Sequence, residues 1–416
     1  MNVNDLYEQR SSYFLQAPPA LRGSILGALI IGLITLIYGF AMGFQQRVWG
    51  AFLFNLFFFF CLGLGGMAFS AMQDVIGALW ARPIRRIQEG FGAFVPLGGL
   101  LFLIFLAAVA FDIGGAGKLY EWIENPEMLH HFPGKEQYLQ PGWMYARMVI
   151  AIVAMVLLAL WQFRQSLKRD QLFVAGKRQE AAEAGEESRY KLRFWSAPIL
   201  VVYAIAFSFL CFDLTMSLAP TWFSTLWGGW QFAIMMQTLM AALLLVMFAV
   251  QNSGVGQVIK RQQFHDVGKL MHGFTIFFAY LTYAHILTYW YGNVPEETEY
   301  FLHRLHEPWL TYLFVVPILG FVIPLYALVF KAAKWTGAAA IPLSGLILLA
   351  QWFTYLLIVM PQVIDGSELG FPAIEIGLFL GMFGLFASTF IWFSKRFPML
   401  PLADPLFAKS LASDHH

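Results

Sequence analysis

The chain has 416 residues, 59% of them hydrophobic and only 12% charged, with a formal net charge of +1. That composition excludes a soluble globular domain, and the near-zero charge offers no electrostatic footprint for nucleic acid. The chain reads as an all-α integral membrane protein surrounded by a lipid bilayer.

The first segment, 1–22, is polar for too long to be a secretory signal and is expected to form a cytoplasmic tail. Ten apolar runs then pass the length test for spanning helices: 23–44, 48–72, 91–111, 143–163, 197–217, 228–250, 269–291, 309–330, 338–360 and 371–394. None shows the period-two alternation of a membrane barrel, so helix is the one spanning form open to them. Runs one to four occupy 23–163, and runs five to ten occupy 197–394. The charged, Ala/Glu-rich segment 164–196 between them is expected to be a cytoplasmic linker with surface helix, and 395–416 a second cytoplasmic tail.

Lys and Arg set the expected orientation. Of the 26 present, Arg47, Lys118, Lys135 and Arg304 are the ones in the segments assigned outside. Arg147 lies just within the fourth run, and all the others, Arg82, Arg85 and Arg86 among them, fall in segments assigned inside. This asymmetry predicts an N-in, C-in chain in a bacterial cytoplasmic membrane.

The seventh run carries the densest chemistry. At about 100° per residue, His272, Thr275, Thr282, Tyr283, His285 and Tyr289 share one sector of roughly 160°. The two histidines are thirteen residues apart, about 20 Å along the axis, so one is expected near each face of the hydrocarbon core. Lipid cannot solvate such a stripe, which must face protein or water. It is either a site or a polar seam that glues helices together.

Around it the membrane-level ionisable groups form two layers. Asp74 and His272 lie toward the inner side, and Asp213, His285 and Glu375 toward the outer side; Asp112 reads as a loop residue. Between the layers sit Asn55, Gln237, Thr275, Gln351, Thr354 and Tyr355. Carboxylates and imidazoles can hand protons along, with hydroxyls and amides bridging gaps. Asp74, Asp213, His272, Thr275, Thr282, His285 and Glu375 are therefore the proton-transfer candidates, arranged to suit two half-channels.

Other chemistry lacks its residues. His272 and His285 are the spanning histidines and share one run, whereas bis-His haem needs facing helices; no Cys-x-x-Cys-His occurs. Cys61 and Cys211 sit inside apolar runs, which leaves neither a disulfide framework nor a thiolate cluster. Gly63, Gly65 and Gly66 lie within an apolar helix, where close helix packing explains them better than a dinucleotide loop. His130, His131, His303 and His306, with Glu297 or Glu299, are a weak outer metal pattern.

Two segments, FDLTMSLAPTWFSTLWGGWQF (212–232) and WYGNVPEETEYFLHR (290–304), carry a family likeness. They resemble the NrfD/polysulfide-reductase-type membrane subunits of bacterial alternative complex III, most of all the second (ActF-type) of its two such subunits. The resemblance implies two four-helix bundles, helices 2–5 and 6–9, flanked by helices 1 and 10. It also implies a cofactor-free subunit of a quinol:electron-acceptor oxidoreductase, not catalytic alone but scaffolding the outer redox subunits and conducting protons through half-channels. The implied partners are a sister NrfD-like subunit, an iron–sulfur subunit, and multihaem and monohaem cytochrome c subunits. Those partners would hold the haem c and iron–sulfur clusters and take electrons from quinol or menaquinol. Relatives commonly read Pro-His-Trp where this chain has Pro220-Thr221-Trp222, so quinol oxidation is expected in the sister subunit. A secondary transporter and a purely structural membrane anchor are the alternatives.

Overall fold

The computed structural model describes residues 8, 10–130 and 133–412. Residues 1–7 and 9 of the first tail, His131 of the weak metal pattern, and residues 413–416 of the last tail lie outside the described residues.

Among the described residues there are ten helices long and apolar enough to span a membrane, and no strand. They are α1 Pro19–Ala41, α2 Gln45–Ile76, α3 Arg82–Ala110, α4 Pro141–Val174 and α5 Arg178–Leu218. The second half supplies α6 Trp227–Ala249, α7 Arg261–Gly292, α8 Trp309–Val329, α9 Gly337–Gln362 and α10 Ala373–Arg396. The protein is thus a multi-pass α-helical membrane protein. An even number of spans returns the chain to one end, where Met399 N–H bonds the Tyr13 carbonyl and Leu15 N–H the Ser394 carbonyl. We call this the near end.

The helices form two four-membered rings. In the first, α2, α3, α4 and α5 each touch the next, and α5 returns to α2; α6 to α9 repeat the pattern. α1 and α10 pack on each other along the side, with α10 lying against α2.

α2 is the centre of the molecule. It is apolar all round, as a helix with no solvent or lipid face should be, and nearly every residue from Val48 to Asp74 is buried. It meets α5 in one ring, α6 and α9 in the other, and α10 outside both. Lipid tails are as apolar as these side chains, so close approach and hydrogen bonds must hold the rings together. A Cβ on Gly66 would sit 2.3 Å from the Gln88 carbonyl oxygen, and one on Gly63 3.1 Å from that of Phe91, so α3 lies directly on the α2 backbone. Across to the second ring, Trp352 Nε1 donates to Asn55 Oδ1 at 2.8 Å, and Tyr355 hydroxyl to Cys61 Sγ at 3.3 Å.

Two expected boundaries change. The linker 164–196 is not a separate surface helix. α4 runs on to Val174 and α5 begins at Arg178, so the segment is the protruding end of a helical hairpin turned at Ala175–Lys177. Its Ala/Glu/Lys/Arg composition has high helix propensity, which lets both spanning helices continue past the bilayer. The third span starts near Arg82 rather than 91, because residues Arg85–Gly92 form a fully buried helix in spite of their charges.

α1 and α10 meet through glycines. A Cβ on Gly32 would lie 2.3 Å from Gly381 Cα, and one on Gly377 2.1 Å from Thr35 Oγ1. Gly32→Val is expected to push the pair apart and lower stability by about 1–3 kcal/mol, the usual cost of overpacking. Thermal unfolding in detergent checks this against Gly23→Val, where a Cβ meets nothing within 4 Å; equal midpoints for the two variants would refute the seam.

Candidate functional site: a polar seam through the second ring

α7 presents Met271, Thr275, Phe278, His285 and Tyr289 to its ring, all buried, and half-buries Thr282 along the same line. The sequence sector is correct in its centre and wrong at one edge. Measured from the line through Met271 and Tyr289, Thr282 lies about 20° away, His272 about 100° and Tyr283 about 120°. Tyr283 is accordingly 62% exposed and His272 only half-buried.

Near mid-membrane all four helices of the ring contribute one polar group to a buried centre. Gln237 of α6 donates through Nε2 to Thr275 Oγ1 of α7 at 3.0 Å and to the Gly320 carbonyl of α8 at 2.8 Å. Gln351 of α9 donates to Gln237 Oε1. The Thr275 hydroxyl in turn donates to the Met271 carbonyl at 2.8 Å.

The Gly320 carbonyl is available because α8 is not a regular helix. Residues Ile318–Val322 form a π turn between Pro317 and Pro324. Each proline removes a backbone donor, and a π turn shifts the hydrogen-bond ladder by one residue, so carbonyls in the stretch must find other partners. Glycine is needed there, since a Cβ on Gly320 would press to 3.0 Å on Ala350 Cβ.

Toward the far end, Trp230 Nε1 donates to Thr282 Oγ1 at 2.9 Å, and the rings of Trp227 and Trp230 flank His285. His285 Nδ1 meets the Leu281 carbonyl at 2.9 Å, which assigns the proton to Nδ1. Among the described residues, His285 Nε2, Gln351 Oε1 and Gln231 Oε1 are buried without a hydrogen-bond partner. Buried acceptors left open are uncommon and mark places where a proton donor fits.

Above His285 an aromatic cap closes the far end. Trp222 stacks on Tyr300 with centroids 4.0 Å apart, Tyr289 hydroxyl donates to the Phe223 carbonyl at 2.5 Å, and Arg304 lies 3.6 Å over the Tyr300 ring. Lys135 reaches in from another loop to donate to the carbonyls of Pro220 and Trp222, and burial brings its pKa down to about 8.

The carboxylates are elsewhere. The two layers expected from sequence persist, but every acid in them is held by arginine. Asp213 takes Arg147 on both oxygens at 2.7 and 2.8 Å, and Glu375 takes Arg47 at 2.8 and 3.0 Å. Asp74 takes Arg82 at 2.9 Å and both terminal nitrogens of Arg85. Such forked pairs occupy the oxygens that would otherwise bind a travelling proton. Neither Asp213 nor Asp74 belongs to the α7 seam. Asp112 is a loop residue with φ 47°, accepting the Gly117 N–H.

Asp74 opens onto a larger network that sequence reasoning missed. Arg82, Arg85, Arg86 and Arg169 interlock with Asp74, Glu89, Asp170 and Asp404, all buried at the near end. Arg85 bonds Glu89 at 2.8 Å, Arg86 bridges Glu89 and Asp170, and Asp404 accepts from Arg169 at 2.8 Å and Arg82 at 3.3 Å. Arg82, Arg85, Arg86 and Arg169 were expected as charges of inner surface segments; they are interior. The i,i+4 and i,i+3 spacing of Arg85 and Arg86 to Glu89 was the available signal.

Burial alone would raise the Asp404 pKa, but Arg169, Arg82 and Arg85 outweigh it and hold the carboxyl below its usual range. A depressed folded pKa stabilises fully above the unfolded value of about 3.9 and is lost as pH falls through the folded one. Asp404→Asn is expected to cost about 3–5 kcal/mol at neutral pH, because it leaves buried guanidinium charge uncompensated. It should also shrink the loss of stability on acidification below about pH 4. Thermal unfolding at neutral and acid pH reads both effects; a variant matching the parent at each pH would mean that the network does not depend on this acid.

Compared with models of known protein families the sequence matches none, and no curated protein matches it, so the functional reading rests on these residues, their geometry and the two motifs.

Proposed function

We propose that this chain is an NrfD-type membrane subunit of a quinol:electron-acceptor oxidoreductase, of the alternative complex III kind. In this reading it holds no redox cofactor, scaffolds iron–sulfur and cytochrome c subunits on its far face, and passes protons along the second ring. The observation that carries the proposal is the buried centre to which all four helices of that ring contribute: Gln237, Thr275, the Gly320 carbonyl and Gln351. Along α7 it lies at a level between His272 and His285, with Thr282, held by Trp230, as the next polar group towards His285 and with His272 turned off the same line. Amide, hydroxyl and imidazole groups of this kind relay protons between aqueous faces.

A second observation favours the complex over a solitary transporter. The two family-like segments, 212–232 and 290–304, pack on each other at the far end through Trp222 and Tyr300. With the loop carrying Lys135 they make one ordered polar and aromatic platform, of the kind an outer subunit would sit on. The orientation belongs to the same reading. With Arg82, Arg85, Arg86 and Arg169 discounted as neutralised, exposed Arg22, Arg164, Lys168, Lys177, Arg178, Lys331, Lys395 and Arg396 still crowd the near end. The near end then faces the cytoplasm of a bacterial cell.

Gentle extraction from native membranes followed by a blue-native gel with haem staining tests the complex. The chain should migrate with multihaem cytochrome c and iron–sulfur proteins; migration alone without haem would point to transport instead. For the seam, Gln237→Leu and His285→Ala in the assembled complex in sealed vesicles are expected to cut quinol-driven proton movement by about 10²-fold or more. That is the usual scale for a lost proton-transfer group. Unchanged proton movement with electron transfer intact would reduce the seam to helix packing.

A further inference from the structure

A groove of about 610 Å³ opens between α1 and α10 at the near end. Its shape follows from the glycine seam. Gly32, Gly377, Gly381 and Gly384 bring the two helices together, whereas nearer the termini a Cβ on Gly27 or Gly23 of α1 would meet nothing within 4 Å. Leu26 and Leu29 of α1 and Ile391 and Trp392 of α10 form apolar walls there. Three cations rim the mouth: Arg22 in the first turn of α1, and Lys395 and Arg396 as the last two residues of α10.

The state of these cations sets them apart from the buried arginines. Arg47, Arg82, Arg85, Arg86, Arg147 and Arg169 all pair with acids inside the protein. Among the described residues Arg22, Lys395 and Arg396 are exposed, none enters an ion pair, and no Asp or Glu lines the groove. Their depth is also defined. α10 has 24 residues. At 1.5 Å per residue it is about 36 Å long, so its end stands at headgroup level beyond a core of about 30 Å. Trp392, more than half exposed, is the amphipathic ring expected at that boundary.

We propose that this groove is a binding site for an anionic glycerophospholipid. Its phosphodiester lies among Arg22, Lys395 and Arg396, and an acyl chain follows Leu26, Leu29 and Ile391 toward the glycine seam. Three unpaired cations with no acid favour a two-phosphate headgroup of the cardiolipin type over a single phosphate. A zwitterionic lipid brings a cation that nothing in the groove would accept. The proposal is independent of the redox reading and needs only the bilayer.

The test uses the full chain in nanodiscs of phosphatidylcholine with a minor share of cardiolipin, with lipid retention counted by native mass spectrometry. The parent should retain cardiolipin selectively. The triple variant Arg22→Gln, Lys395→Gln, Arg396→Gln should lose about 10²-fold in retention, since each cation acts at the membrane surface. A control with the same charge change at the same end, Arg164→Gln, Lys168→Gln, Lys331→Gln, should retain the lipid. Leu26→Trp, which keeps all three cations but fills the acyl path, should also weaken retention and covers the case in which the triple variant fails to insert. Equal loss in the control would reduce the effect to general surface charge. Displacement by inorganic phosphate would make the site one for a free anion, and no selective retention by the parent would overturn the proposal outright.

Discussion

The constraint behind this structure is that hydrocarbon cannot satisfy a polar group, so each one below the headgroups must find its partner inside the protein. The chain meets it in two ways. At both ends of the helices it neutralises carboxylates with forked arginines: Asp213 with Arg147, Glu375 with Arg47, and the eight-membered network around Asp74 and Asp404. At mid-membrane it uses no formal charge at all, only the amides of Gln237 and Gln351, the Thr275 hydroxyl and a backbone carbonyl. Charge stays where water is near, and neutral dipoles carry polarity through the middle.

This division also explains how the two rings stay together. Apolar packing against lipid gives little net drive to associate, so the helices rely on close contact and specific bonds. α2 supplies both. Its glycines admit α3 to backbone contact, while Asn55 and Cys61 receive Trp352 and Tyr355 from α9. Asn55 also donates to the Glu375 carbonyl at 3.2 Å, tying α10 to the same helix. The near-end network extends the scheme, since Asp404 from the last segment locks onto Arg82 of α3 and Arg169 of α4, and Asp170 of α4 onto Arg86 of α3. The α4–α5 hairpin is therefore tied to the core through Asp170 and Arg169.

The spans were legible because a bilayer imposes length and apolarity on each segment separately, and every one of the ten runs overlaps a helix. The centre of the α7 stripe was legible for a related reason: Thr275, His285 and Tyr289 share a face by periodicity alone. What sequence could not convey was pairing across helices. Arg147 and Asp213 are 66 positions apart, and Arg47 and Glu375 328 apart, so each looked like a lone charge at its own helix end. The π turn was hidden as well. Pro317 and Pro324 mark a disturbed helix, but which carbonyl is freed depends on where Gln237 arrives from α6. Tyr283 was misassigned because an arc of roughly 160° is wider than the face one helix presents to a ring.

The two rings share a topology and differ in what fills them, and the difference bears on function. In the first ring the middle is aromatic: Phe57 and Phe60 meet Phe102 edge-on at 5.7 and 5.1 Å, and Phe57 meets Phe207 at 6.4 Å. Such packing places a layer of aromatic rings between Asp213 at one end and Asp74 at the other. In the second ring a hydrogen-bonding group is available at successive levels of α7, from Thr275 through Thr282 to His285, each met by a partner from α6 or, at His285, by its tryptophans. Two bundles of like topology therefore assume different parts. Under the proposed function the aromatic one insulates and anchors, and the amide-lined one is the place where a proton crosses without a charge ever being left alone in the middle of the membrane.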